Sequence, residues 1–269
     1  MKIAFSNLAC PEWSMEEVFS HAAEFSFDGV EIRLLDGNVI PSDLDRTTCT
    51  RIVKLAREAN VEIVGLGAST KFATYDERQR KFNVDELLRY LELANQLDVP
   101  MVRTFGGGID VGVGKTEAVH YVADALAQVA PRAVELGVSV LLETHDEFSH
   151  SAMVREVVNK VNSPIIGALW DTHHPYRMGE TIEETYRNLQ SALQHVHIKD
   201  ARWNGDSWDL VVFGEGEVPV RNIVRKLIEE GYNRYVCIEW ERKWHPEIEP
   251  ALTALPKHLR ILKQYLNKL

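Results

Sequence analysis

Long apolar runs, basic clusters, cysteine pairs and linker-like segments are all scarce in this 269-residue chain, and each absence excludes something. No stretch approaches the 18 or so consecutive apolar residues that span a bilayer, so no membrane partner is expected. The formal charge is -10, from 30 Lys and Arg against 40 Asp and Glu, and no basic run offsets it. Such a surface repels polyanions, which argues against a nucleic-acid partner. Cys10, Cys49 and Cys237 are odd in number, far apart and without a CxxC pair. That pattern fits a reducing compartment better than a disulfide scaffold, and the expected location is cytoplasmic. The opening MKIAFSNLAC carries a short apolar run, but Asn7 and the following CPEWSMEE interrupt it, so it reads as a first strand rather than a leader. No Pro/Ser-rich linker or shift of composition divides the chain, and residues 1–269 are expected to form one domain.

What is present is alternation. Hydrophobic residues make up 45% of the chain and charged residues 26%, ordinary for a globular core with a solvated surface. Eight short apolar runs rich in Val and Ile read as strands: KIAFSNL from Lys2, GVEIRLL from Gly29, VEIVGLG from Val61, PMVRTF from Pro100, VSVLLET from Val138, IIGALWD from Ile165, HVHIKD from His195 and YVCIEWE from Tyr235. Amphipathic stretches with helical spacing separate them. Ser14, Ser42 and Asn83 are expected N-caps, Ser14 with Glu17 as a capping-box partner, and Gly137 and Gly231 sit where helix C-caps belong. Strict strand and helix alternation requires parallel strands with crossover helices outside. Eight such units in this length predict an α/β fold of the closed (β/α)8 kind, a TIM barrel with an eight-stranded parallel barrel and outer helices.

In such a barrel every strand ends at the same mouth, where the βα loops build the site. Four consecutive strands here end in carboxylates and imidazoles: LLETHDEF with Glu143 and His145, LWDTHHP with Asp171, His173 and His174, HVHIKDAR with His195, His197 and Lys199, and CIEWERKWHP with Glu239 and Glu241. Any one of them alone could be an ion-paired strand end. Four adjacent strands ending this way point to convergence, because charged side chains are rarely buried unless paired or metal-bound. An oxygen-rich set with one imidazole suits a divalent cation of the Mn2+, Mg2+ or Co2+ kind, with Zn2+ also compatible.

With FDGVEIRL, ETH, DTHHPYRMGE, HVHIKDA, FGEGEVPV and GYNRYVCIEWE in this order, nearly the whole chain resembles the xylose-isomerase-like TIM-barrel family of sugar isomerases and epimerases. The resemblance implies metal ligands at Glu143, Asp171, His197 and Glu239, with Mn2+ the first expectation, and catalytic acid and base roles for Glu143 and Glu239. It places His174 and Arg202 against the substrate, with His145 a further substrate contact; Glu31 and Arg103 end strands at the same mouth. The implied partner is a small-molecule sugar or polyol ketone, and a homo-oligomer is compatible with the family. The implied reaction is proton transfer at a carbon beside a carbonyl, through an enediolate that a bound cation stabilises. Return of the proton to the other face gives epimerisation, and return to the neighbouring carbon gives isomerisation.

A metal-dependent dehydratase or lyase acting on a keto-sugar, inosose or dehydroshikimate-like compound is the alternative, since it needs the same cation and enolate. An abasic-site endonuclease of the same superfamily fits poorly: GLGAST and VRTFGGG lack its histidines, and no Asp-x-His element occurs in SWDLVVFGEG. A non-catalytic sugar-binding barrel is disfavoured by the full ligand set. GGGIDVGVGKTE has Ile109 where a Walker-type loop needs glycine, so it reads as a βα loop. FGEGEV reads as a turn whose Gly214 and Gly216 could offer amides to a substrate phosphate. Trp203, Trp208, Trp240 and Trp244 are either packing under loops or walls for a sugar ring. STKFATYDERQRKFN is a candidate lid in which Phe72 and Tyr75 could reach over a substrate.

Overall fold

A computed structural model describes residues 1–267. The strands, in chain order, are β1 Lys2–Ser6, β2 Gly29–Ile32, β3 Leu34–Leu35, β4 Asn38–Val39, β5 Glu62–Gly67, β6 Met101–Thr104, β7 Ser139–Glu143, β8 Ile166–Asp171, β9 Leu193–Ile198, β10 Asp200–Trp203, β11 Trp208–Val211 and β12 Tyr235–Ile238. Eight of them close into a barrel in the order β1-β12-β9-β8-β7-β6-β5-β2, while β3-β4 and β10-β11 are small hairpins outside it. All eight runs read as strands from the sequence are the barrel strands, and the fold is the expected (β/α)8 TIM barrel. The two hairpins were not anticipated: β3-β4 turns on Asp36 and Gly37, both at positive φ, and β10-β11 replaces what reads as an undifferentiated loop.

By contact density the chain forms two compact units, 1–41 with 50–64 and the segment from 196 onward, and 42–49 with 65–195. In the first, β1 lies between β12 and β2, with Ala4 opposite both Cys237 and Gly29, and His197 of β9 opposite Cys237. Asn7, just past β1, is buried and makes three hydrogen bonds: Oδ1 accepts from the amides of Arg33 and Leu34 at 2.8 and 2.9 Å, and Nδ2 donates to the Leu34 carbonyl at 2.8 Å. One amide side chain thus satisfies the backbone where β2 leaves the barrel, a place where unpaired groups would be costly. In the second unit, β7 lies between β6 and β8, pairing Arg103 with Leu141 and Glu143 with Leu169. The Thr144 hydroxyl accepts from the Asp171 amide at 2.9 Å and donates to the Asp171 carbonyl at 3.2 Å. That exchange pins the end of β8 beside the end of β7.

Three caps illustrate how local chemistry sets the helix starts. Ser14 and Glu17 form the expected capping box ahead of the helix Met15–Phe25. The next helix begins at Arg46, not at Ser42, because the Asp45 carboxylate accepts from the amides of Thr47 and Thr48 at 2.8 and 3.0 Å. The third begins at Glu77, six residues before the expected Asn83, with Asp76 accepting from Arg78 and Gln79. Gly137 at φ 66 ends the helix Lys115–Leu136 in the left-handed conformation, as its position suggested.

Candidate active site at the ends of four strands

Along β7, β8, β9 and β12 the barrel interior selects alternate residues. Glu143 and Asp171 close β7 and β8, His197 is the penultimate residue of β9, and Glu239 follows β12 directly. All four are buried. One ligating atom from each lies within 4.8 Å of the ligating atoms of the others. Three carboxylates and an imidazole at that spacing form a donor set that a divalent cation fits, and their summed negative charge is a reason for them to hold one.

The immediate neighbours divide the work of burying that charge. Arg103 Nε lies 3.2 Å from Glu143 Oε2, and both side chains are almost fully buried. The same guanidinium donates from Nη1 to the Ala68 carbonyl at 3.0 Å and rests on the Phe105 ring. Lys199 Nζ lies 2.6 Å from Glu239 Oε2 and also pairs with Glu241. Each candidate acid/base glutamate therefore has its own cation, which offsets the cost of an ionised carboxylate away from water. Lys199 follows from the alternation of HVHIK, which puts residues 195, 197 and 199 on one face, but its role beside Glu239 was not assigned from sequence.

Asp171 does two jobs. Its Oδ1 accepts from the amides of His173 and His174, at 2.9 and 3.4 Å, capping the short helix His173–Arg177. Its Oδ2 lies 3.6 Å from His174 Nε2. His174 is buried and its ring packs edge-on against His145 at 4.3 Å, and His145 packs on Phe105 at 4.5 Å. His145 Nδ1 is 2.9 Å from Asp146 Oδ1, and that pairing holds the Asp146 carboxyl below the usual range. Arg202 stands apart in character: it is exposed, on β10, in register with Asp209 of β11.

Several sequence expectations change here. Phe72 is fully buried and Tyr75 is exposed, so only the latter has the freedom a lid residue needs. The segment is latched instead: Asp110 accepts from the Thr74 hydroxyl at 2.6 Å and the Tyr75 amide at 3.0 Å. The amides of Gly214 and Gly216 are not offered to a phosphate. Asp200 Oδ2 takes both, at 2.8 and 3.1 Å, and Oδ1 accepts from Ala201 and Val218 at 2.9 and 3.1 Å. The chain's own carboxylate fills that anion cradle, and a Cβ at position 216 would meet it at 2.2 Å. Burial raises the Asp200 carboxyl above its ordinary range, with the four amides pulling the other way. Trp240 is core, donating from Nε1 to the Glu249 carbonyl at 2.8 Å; Trp203 and Trp244 are about half exposed, with Trp203 against Trp208 across the hairpin.

The barrel thus carries three buried carboxylates and an imidazole grouped at its strand ends. Residues 19–265 match the family model described as xylose isomerase-like TIM barrel, and the chain belongs to that family. Among its relatives, fructoselysine 3-epimerase of Escherichia coli O157:H7 is 23% identical over 235 residues, covering 84% of this chain and 85% of the relative. Inosose dehydratase of Bacillus thuringiensis (strain Al Hakam) is 24% identical over 219 residues, covering 74% and 69%. The IOLI protein, solved with a zinc atom bound, superposes with a TM-score of 0.86 at 20% identity, covering 100% and 99% of the two chains.

Proposed function

We propose that the protein is a divalent-metal-dependent sugar isomerase or epimerase acting on a sugar or polyol ketone. The observation that carries this reading is the grouping of Glu143, Asp171, His197 and Glu239, buried and mutually within 4.8 Å. These four would hold the cation, Mn2+ being the first choice and Mg2+, Co2+ or Zn2+ the alternatives. When bound, such a cation supplies Lewis-acid polarisation of a hydroxycarbonyl group and favours loss of the neighbouring proton.

The chain's own residues supply the rest. Glu143 and Glu239 are the proton-transfer pair, one carboxylate taking the proton beside the carbonyl and the other returning a proton. Arg103 and Lys199 hold those carboxylates in place by direct ion pairs, so neither must reorganise far as charge moves. His174, beside Asp171, and His145, edge-on to the His174 ring, orient substrate hydroxyls; Arg202, on the exposed β10 hairpin, would reach the substrate from the mouth's rim. Burial of Glu143 and Glu239 restricts water at the reacting carbon.

The dehydratase reading has one specific support, the similarity to inosose dehydratase, and the same experiment decides between the two. A panel of keto-sugars and inososes is incubated in D2O with Mn2+, and products are analysed by mass and NMR. Deuterium at the carbon beside the carbonyl, with oxygen count retained, is the expected result. Loss of water from the substrate would replace the isomerase reading with the dehydratase one. Glu143→Gln and Glu239→Gln should each lower turnover by about 100-fold or more, and full activity in either variant would remove that residue from the proton-transfer pair.

A further inference from the structure

His197 lies between two carboxylates. Its Nδ1 is 3.1 Å from Glu239 Oε1, and its Nε2 is 2.9 Å from Glu31 Oε2; both His197 and Glu31 are fully buried. Glu31 comes from β2, the strand pair of β1, and it is not one of the four residues grouped around Glu143. A neutral imidazole has one N–H and one lone pair, so the nitrogen that donates to a carboxylate cannot also offer electrons. When a cation takes one lone pair the ring is neutral, so the two nitrogens of His197 then take different roles, and the surroundings decide which takes which.

We infer that Glu31 is the positioning residue of the centre: it accepts the Nε2–H of His197 and so turns the Nδ1 lone pair toward Glu143, Asp171 and Glu239. The inference rests on the metal-dependent reading above. Nδ1 is on the side of Glu239, which belongs to the four-residue group, and Nε2 is on the side of Glu31, which does not. A half-turn of the ring about its bond to Cβ would exchange a nitrogen for a carbon at each place. The Glu31 contact makes that turn costly, since it would leave a buried carboxylate facing C–H. An outer carboxylate that fixes a ligating histidine in this way commonly changes metal affinity by 10- to 100-fold when removed.

A competing account comes from the same region. Glu31, His195, His197 and Cys237 also bring ligating atoms within 4.8 Å of one another, and thiolate with two imidazoles suits a zinc-like ion. That arrangement would require His197 to serve two cations through its two nitrogens. A single Glu31 contact explains the proximity with one cation. Stoichiometry separates the two accounts.

The test uses the full chain, stripped with EDTA and titrated with Mn2+ by calorimetry, with the Tm of each metal-free protein measured alongside. Wild type should take up one Mn2+ per chain. Glu31→Leu, which removes the acceptor, should weaken Mn2+ binding by about 10-fold or more. Glu31→Gln, which keeps an acceptor oxygen for Nε2–H, should fall within a few-fold of wild type. Glu31→Asp, which withdraws the oxygen by one methylene, should lie between them and serves if the leucine variant does not fold. A purely structural role would lower the metal-free Tm and leave affinity unchanged, which would overturn the inference. So would Gln binding as weakly as Leu, or two ions per wild-type chain. If wild type itself binds no divalent cation, the metal-dependent reading fails and takes this inference with it; if wild type binds and all variants match it, only the role of Glu31 fails.

Discussion

His258 gives a stability prediction that can be worked through to a number. It lies in the C-terminal helix Ala251–Asn267, is 1% exposed, and is enclosed by the Phe213 ring at 4.2 Å and the Trp240 ring at 4.9 Å. Burial, with a smaller contribution from Lys257, pushes its pKa down from 6.5 to about 3. The folded protein therefore keeps this ring neutral in mild acid, while the unfolded chain protonates it below pH 6.5. The sign follows: the unfolded state binds the extra proton, so stability is fully present above pH 6.5 and is lost as the pH falls from there toward 3. Between pH 7 and pH 5 the unfolded ring goes from about one-quarter to almost fully protonated, which amounts to about 2 kcal/mol. That is a sizeable share of the roughly 5–15 kcal/mol by which domains are stable. The assay is urea unfolding followed by tryptophan fluorescence at both pH values, with EDTA present so that cation loss does not contribute. His258→Leu should be destabilised at pH 7 by its poorer packing, yet it should lose about 2 kcal/mol less than wild type on going to pH 5. The packing cost cancels in that double difference. An equal loss in both proteins would mean that His258 is accessible to protons in the folded state and that the burial argument is wrong.

Two further outcomes test other parts of the molecule. Asp171→Ala removes one of the three grouped carboxylates and the cap of the helix His173–Arg177, and metal content after dialysis, measured by elemental analysis, should drop well below one ion per chain; unchanged content would exclude Asp171 as a ligand. Asp200→Asn replaces an acceptor by an NH2 group facing backbone amides that the carboxylate now satisfies, so urea unfolding at pH 7 should show a loss of about 3 kcal/mol, and a loss near zero would mean that the amide cradle does not depend on the charge.

The strands were legible because a parallel barrel buries both faces of its sheet, and buried strands read as short Val- and Ile-rich runs without needing tertiary information. The helix starts at Arg46 and Glu77 were less so. In DERQRKFN the residues after Asp76 are charged helix formers with no apolar stripe, so periodicity misses a turn that the Asp76 carboxylate nucleates. Ser42 failed for the opposite reason: Asp45 is the better acceptor and lies closer to the first apolar residue of the stripe. The hairpin β10-β11 was hidden because its residues, only two of the eight buried, lack the pattern of a core strand.

The site shows a different limit. A side chain's strand position and its face can be read from alternation, which put Glu143, Asp171, His197 and Glu239 among the residues that end four strands; the choice of these four as one set came from the family resemblance. What touches a side chain depends on strands distant in sequence, and for that alternation is silent. Arg103 is 40 residues from Glu143, Glu31 is 166 from His197, and Lys199 is 40 from Glu239; nothing in their local patterns announces the pairing. The Gly214 and Gly216 amides make the point from the other side. FGEGEV has the composition of an anion-binding turn, and it does bind an anion, but the anion is Asp200 of the same chain, placed there by the strand end that also delivers Lys199 to Glu239. Adjacent residues 199 and 200 thus point opposite ways, one ordering the candidate site and the other ordering the loop behind it, so the loss of the Asp200 carboxylate should loosen the backbone on which Lys199 depends.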